Sequence, residues 1–181
     1  MKVSTCKLDG ILVIEPTVFD DNRGFFLESY NRKKYEDIGI GAEFVQDNHS
    51  ASTKGTLRGL HYQLNPGQSK LIRATLGEVF DVVVDVRKKS PTFGQWESFI
   101  ITAENKKQVF IPRGFAHGFC VLSDYAEFLY KCDEYYSPKD ERGFLWDDPE
   151  ININWPISDP ILSKRDLSHP SFKKLSDSDF F

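Results

Sequence analysis

From Phe80 to Val86 the chain reads Phe-Asp-Val-Val-Val-Asp-Val. In extended backbone this puts Phe80, Val82, Val84 and Val86 on one face and Asp81, Val83 and Asp85 on the other. A period of two is the requirement of a β-strand, not of a helix. Comparable runs recur at Glu43 to Asp47, Leu57 to Gln63, Lys70 to Leu76, Gln95 to Thr102, Gln108 to Ile111, His117 to Leu122 and Glu127 to Tyr135. Gly or Pro turns separate them at intervals of about eight to twelve residues, the spacing of an antiparallel sandwich or barrel. Asn31 to Ile38 is the exception, a short helix with Asn31 as its N-cap and Gly39 just past its end. A mainly β protein with a few short helices is expected.

A chain of 181 residues is long enough to bury a full core, and one domain over residues 1–181 is expected. Its barrel core spans about residues 10–155, and the polar stretch from Ser163 to Phe181 lies over the surface with its last residues frayed. Aromatics make up 14%, which favours β architecture or a stacking pocket. The net charge of −4 argues against nucleic acid as a partner, yet local cationic clusters can still hold one small anion. Cys6, Cys120 and Cys132 have no CxxC spacing and read as reduced packing residues of a cytoplasmic protein. No run approaches the roughly 18 apolar residues of a membrane span, and the N-terminus lacks an apolar leader core.

Two segments combine imidazole, glycine and arginine: Leu57-Arg58-Gly59-Leu60-His61-Tyr62-Gln63 and Ile111-Pro112-Arg113-Gly114-Phe115-Ala116-His117-Gly118-Phe119. An isolated strand histidine is commonly just a satisfied, half-buried residue. His61 has neighbours that suggest more. Arg58 precedes it by three residues, so a regular strand would point the two apart, and a bulge at Gly59 would bring them together. Lys70 follows the Asn65-Pro66-Gly67 turn, where a hairpin partner would return it near His61. Imidazole is matched to abstracting a proton near neutral pH. Asp81, Asp85 and Asp166 are all candidates for the carboxylate that fixes its tautomer.

His117 ends Pro112-x-Gly114-x-x-His117, which resembles the second half-motif of the cupin superfamily. Metal-binding cupins also need a His-x-His pair, but His61 is followed by Tyr62 and Gln63, so no metal is expected. Tyr130, in the alternating strand around it, is either a packed phenol or an acid placed across a substrate from His61. Tyr136 could edge a pocket mouth and stack on a base. Arg23, Arg58, Lys70, Arg73 and Arg165 are too scattered for a nucleic-acid stripe but could converge on a diphosphate.

Taken in order, the motifs resemble the dTDP-4-dehydrorhamnose 3,5-epimerase family. They include Asp21-x-Arg23-Gly24-Phe25-Phe26-x-Glu28, Phe44-Val45-Gln46-Asp47-Asn48-His49-Ser50, the His61 and His117 segments, Gly77-Glu78-Val79-Phe80-Asp81-Val82, Ser90-Pro91-Thr92-x-Gly94, Tyr130-Lys131 and Leu162-Ser163-x-x-Asp166. The resemblance implies a cupin-type jelly-roll β-barrel, a homodimer, a nucleotide-sugar substrate and no cofactor or metal. It makes His61 the base, Asp166 its partner, Tyr130 the acid on the opposite face, and Lys70 the group that stabilises an enolate oxygen. Arg23, Glu28, Gln46, Asp47, Asn48, Arg58, His117 and Glu141 become substrate contacts, with Tyr136 stacked on the thymine. Arg165 stands where the family often has lysine and keeps the charge.

The implied reaction inverts C3 and C5 of a 4-keto sugar; inversion at one carbon alone is the close rival. A metal-dependent oxygenase or a non-catalytic sugar-nucleotide binder fits the residues less well. The chain has no dinucleotide fingerprint, and none is needed.

Overall fold

In the computed structural model, which describes residues 1–181, thirteen strands and two short helices follow one another along the chain. The strands are β1 (Lys2–Thr5), β2 (Leu12–Glu15), β3 (Val18–Asp21), β4 (Gly24–Leu27), β5 (Gln46–Thr53), β6 (Leu57–Gln63) and β7 (Lys70–Leu76). Then come β8 (Glu78–Asp85), β9 (Trp96–Thr102), β10 (Gln108–Ile111), β11 (Phe115–Val121), β12 (Tyr125–Cys132) and β13 (Glu141–Gly143). Helix α1 covers Arg32–Glu36 and α2 covers Lys164–Leu167. One sheet has the order β1-β2-β10-β7-β12-β5, the other β13-β6-β11-β8-β9, and β3-β4 stands apart as a hairpin. All pairings between these strands are antiparallel. The fold is the expected cupin-type jelly roll.

Period-two alternation sorts the side chains into layers. Val82, Val84 and Val86 join Leu60, Tyr62, Ala116 and Phe144 in one apolar cluster, with Phe80 packed against it. Val83 belongs to a different cluster, with Ile72, Val109, Phe119 and Phe128, drawn from both sheets. That second cluster is the interior of the sandwich. Phe119 and Phe128 stack across it with centroids 4.3 Å apart, a contact worth about 0.5–1.5 kcal/mol beyond its buried area. Asp81 follows the inward alternation of Val83 and is fully buried. Inward polar side chains on neighbouring strands therefore gather at one end of this interior.

Helix α1 has its expected cap, Asn31, whose side chain accepts from the Lys34 amide. It covers the outer face of the larger sheet through Tyr35, packed with Ile14, Leu71 and Phe110. No helix is long and apolar enough to cross a membrane.

Three expectations need correction. The strand placed at Glu43 to Asp47 begins instead at Gln46 and runs to Thr53; β5 is an edge strand with an alternating polar pattern, so apolar periodicity does not reveal it. The last residues are not frayed: Phe181 donates its amide to Val86 and accepts from Lys88, while the Asp179 carbonyl accepts from the Tyr62 hydroxyl. Phe172 and Phe180 bury their rings against Phe93, so aromatic packing holds a segment whose polar composition suggested a loose cover. Finally, β6 and β7 do not form a hairpin, because they belong to different sheets. Lys70 reaches the neighbourhood of His61 from the facing sheet.

Candidate active site

At the polar end of the sandwich lies a cavity of about 400 Å3 lined by Ser50, Arg58, His61, Lys70, His117, Phe119, Tyr130, Ser163, Arg165 and Asp166. His61 enters from β6 of the smaller sheet, and Tyr130 and Lys70 from β12 and β7 of the larger one. Asp166 comes from α2, fifteen residues before the chain ends.

His61 and Asp166 form the tightest polar contact in the cavity. Nε2–H of His61 donates to Oδ1 of Asp166 at 2.5 Å. Burial alone would push the Asp166 carboxyl up, but the His61 bond and one from Ser163 Oγ at 2.7 Å outweigh it and hold the pKa at about 2. The carboxylate is thus an acceptor throughout the physiological range. That fixes the proton on Nε2 and leaves the other ring nitrogen with its lone pair. Of the three carboxylates open from spacing, Asp166 is the partner; Asp81 bonds His117 and Asp85 bonds Arg87.

Arg58 and His61 share the cavity because β6 carries an extra residue between them. His117 of β11 pairs with His61 and Phe119 with Arg58, so Gly118 alone on β11 opposes both Gly59 and Leu60 on β6. Gly59 sits in that bulge at φ +129°, with β11 so close that a Cβ there would lie 2.5 Å from the Gly118 Cα. Only glycine meets both demands. Arg58 is then anchored by Nε and Nη2 donating to Ser52 Oγ, each at 3.1 Å.

Burial shapes the remaining groups. His117 Nε2 lies 2.7 Å from Asp81 Oδ2, a second imidazole–carboxyl pair behind the first. Burial raises the Asp81 pKa, partly offset by His117 and Lys70. Burial lowers that of Lys70, making its ammonium a readier proton donor. Burial raises the Tyr130 phenol, which stays protonated at neutral pH and has no hydrogen-bond partner within the chain. An unengaged phenol lining a cavity is available to a ligand.

A polar chain of contacts extends the cavity outward. Arg165 donates to Glu141 at 2.7 Å, Glu141 accepts from the Tyr136 hydroxyl at 3.0 Å, and the Tyr136 amide donates to Gln46 at 3.0 Å. Gln46 donates in turn to Asn48 at 3.1 Å. The structure does not bring Asp47, Arg23 or Glu28 to this cavity. Asp47 follows the opposite phase of β5 and pairs with Lys131 at 2.8 Å. Arg23 is held by Asp21 on the β3-β4 hairpin, and Glu28 pairs with Lys34 at 2.8 Å.

One neighbour was not foreseen. His169 packs edge-on against His61, ring centroids 5.2 Å apart, and its Nε2 is buried without a partner. Its spacing of three residues from Asp166, just past the end of α2, was the available signal.

A jelly-roll barrel with an imidazole–carboxylate pair and a free phenol lining one cavity defines a cupin-type protein equipped for acid–base chemistry. The family model described as dTDP-4-dehydrorhamnose 3,5-epimerase matches residues 5–174, and the chain belongs to that family. It is similar to the Shigella flexneri dTDP-4-dehydrorhamnose 3,5-epimerase, 56% identical over 183 residues covering 100% of this chain and 99% of that protein. A dTDP-6-deoxy-D-glucose-3,5-epimerase from Legionella pneumophila, solved in complex with dTDP-4-keto-L-rhamnose, superposes with a TM-score of 0.96 at 46% identity, covering 99% of this chain and 96% of that one. The 3'-monoepimerase from Streptomyces bikiniensis, solved with dTDP-quinovose, is more distant: 35% identity, TM-score 0.86, covering 92% and 85%.

Proposed function

We propose that the protein epimerises C3 and C5 of dTDP-4-dehydro-6-deoxy-D-glucose to give dTDP-4-dehydro-L-rhamnose. The observation that carries this reading is a single cavity lined by the His61–Asp166 pair from one side and Tyr130 from the facing sheet. The C4 ketone acidifies the protons on both adjacent carbons. The unbonded nitrogen of His61 takes one of them, and the electron pair moves onto the C4 oxygen. Lys70 stabilises that oxygen, a donor role commonly worth about 3–4 kcal/mol in the transition state. Tyr130 then delivers its proton to the opposite face of the carbon. Solvent exchange resets both groups, and the reaction is redox-neutral.

Arg58 and Arg165 supply the cations for the diphosphate, and Gln46, Asn48, His117, Tyr136 and Glu141 complete the surface for nucleotide and sugar. Arg23 and Glu28 fit this role in a homodimer, reaching a second copy. Supporting that is the hairpin that carries Arg23, which exposes Phe19, Phe25 and Phe26 at 62, 57 and 68%. Three free cysteines suit a reducing, cytoplasmic setting.

Incubating the purified chain with the dTDP keto sugar and analysing the product by proton NMR tests the reading. Inversion at both carbons is expected. Inversion at one alone would make it a monofunctional epimerase, and an unchanged sugar would overturn the activity.

A further inference from the structure

Asp166 is flanked by two imidazoles, only one of which the epimerase chemistry uses. On one side His61 Nε2 lies 2.5 Å from Oδ1. On the other, His169 Nε2 lies 4.0 Å from the same oxygen. Donor atoms of all three side chains fall within 4.8 Å of one another. The second carboxylate oxygen, Oδ2, accepts from Ser163 Oγ, so Oδ1 is held facing both rings.

His169 is built into this position. It follows α2, which also carries Asp166, and its ring lies over Gly143, the β13 residue paired directly with His61. A Cβ at residue 143 would lie 2.6 Å from His169 Cε1 and 2.7 Å from its Nε2. Bare backbone is what lets the ring approach. Yet the nitrogen delivered there bonds to nothing in the chain, a costly arrangement for a buried polar atom.

We propose that His61, Asp166 and His169 form a three-ligand site for Zn2+ or a similar borderline divalent cation, with the fourth position open to the cavity. Two imidazoles and one carboxylate match the donor set of open-position zinc sites. The geometry needs little adjustment. A tetrahedral ion with bonds of about 2.0–2.1 Å sets its ligand atoms about 3.3 Å apart, so the separations of both imidazole nitrogens from Oδ1 shift by less than about 1 Å. Arg165, beside Asp166 in sequence, is neutralised by Glu141. The ion takes the place of the proton between His61 and Asp166, so zinc binding and proton abstraction exclude each other. Capture of the ion stands on the ligand geometry; the resulting inhibition rests on His61 being the base.

The test is calorimetric titration of the chelator-treated, full-length protein with zinc chloride, in parallel with His169→Gln. The wild type is expected to bind one ion per chain, His169→Gln at least about tenfold more weakly, and magnesium chloride to give no heat, since Mg2+ prefers oxygen ligands. Absence of zinc binding by the wild type, or equal binding by the variant, overturns the site. Should His169→Gln fail to fold, cobalt(II) titration of the wild type decides: visible tetrahedral absorption supports the site, and its absence overturns it. Zinc is expected to suppress epimerisation of the wild type in proportion to occupancy, with His169→Gln turning over in its presence. Full occupancy with undiminished turnover would retain the site but remove both its inhibitory role and His61 as base.

Discussion

His61 and Tyr130 line the same cavity from opposite sheets of the sandwich, β6 supplying one and β12 the other. Proton removal and proton return on different faces of a ring carbon require two such groups, and neither strand alone could present both.

Tyr130→Phe keeps the ring and removes only the hydroxyl. Because His61 and Asp166 are untouched, deprotonation continues while reprotonation from the far face fails. Turnover to inverted product is expected to fall by about 10²–10⁴-fold, the usual contribution of a positioned acid. Solvent deuterium should still enter unreacted substrate. An unchanged inversion rate would remove Tyr130 from the acid role.

Gly59→Ala tests the bulge that places Arg58 beside His61. The new methyl would sit 2.5 Å from the Gly118 Cα and 2.9 Å from the His117 carbonyl, at a φ of +129°. A loss of about 2–4 kcal/mol is expected, with each kcal/mol lowering Tm by about 2–4 °C at this length. A thermal melt matching the wild type would show that the strands tolerate the methyl.

How much of this was legible in the residues depends on range. The two faces of Phe80 to Val86 and the bulge at Gly59 follow from local rules, and both hold in the structure. Lys70 could not be placed by local rules, because its turn links two different sheets and only the closed sandwich reveals the crossing. Strand β5 escaped because its alternation is polar, lying at an edge beside the cavity. His169 escaped because its place depends on Gly143, twenty-six residues earlier and without a side chain to announce the contact. Choosing Asp166 over Asp81 and Asp85 likewise took the resemblance, since each carboxylate is buried with a basic partner.

Asp85 predicts the acid limit of stability. Its side chain is buried; burial alone would raise its pKa, but bonds from Arg87, Ser90 and Thr92 outweigh that and hold it below the usual carboxylate range. A folded pKa below the unfolded value of about 3.9 gives stability that is fully present above that value. It is lost as pH falls through the lower folded value. Melting temperature should therefore drop between about pH 5 and pH 3, and more steeply than in Asp85→Asn. The variant, with its Arg87 partner stranded, should lose about 3–5 kcal/mol at neutral pH. Parallel acid profiles for the two proteins would show that Asp85 does not set the limit.

The most direct measurement is epimerisation in deuterated water, with the product read carbon by carbon. Label at both C3 and C5 is the predicted result, and His61→Ala should introduce none at either carbon. Inverted product without label, or exchange that survives the loss of His61, would contradict proton abstraction by this imidazole.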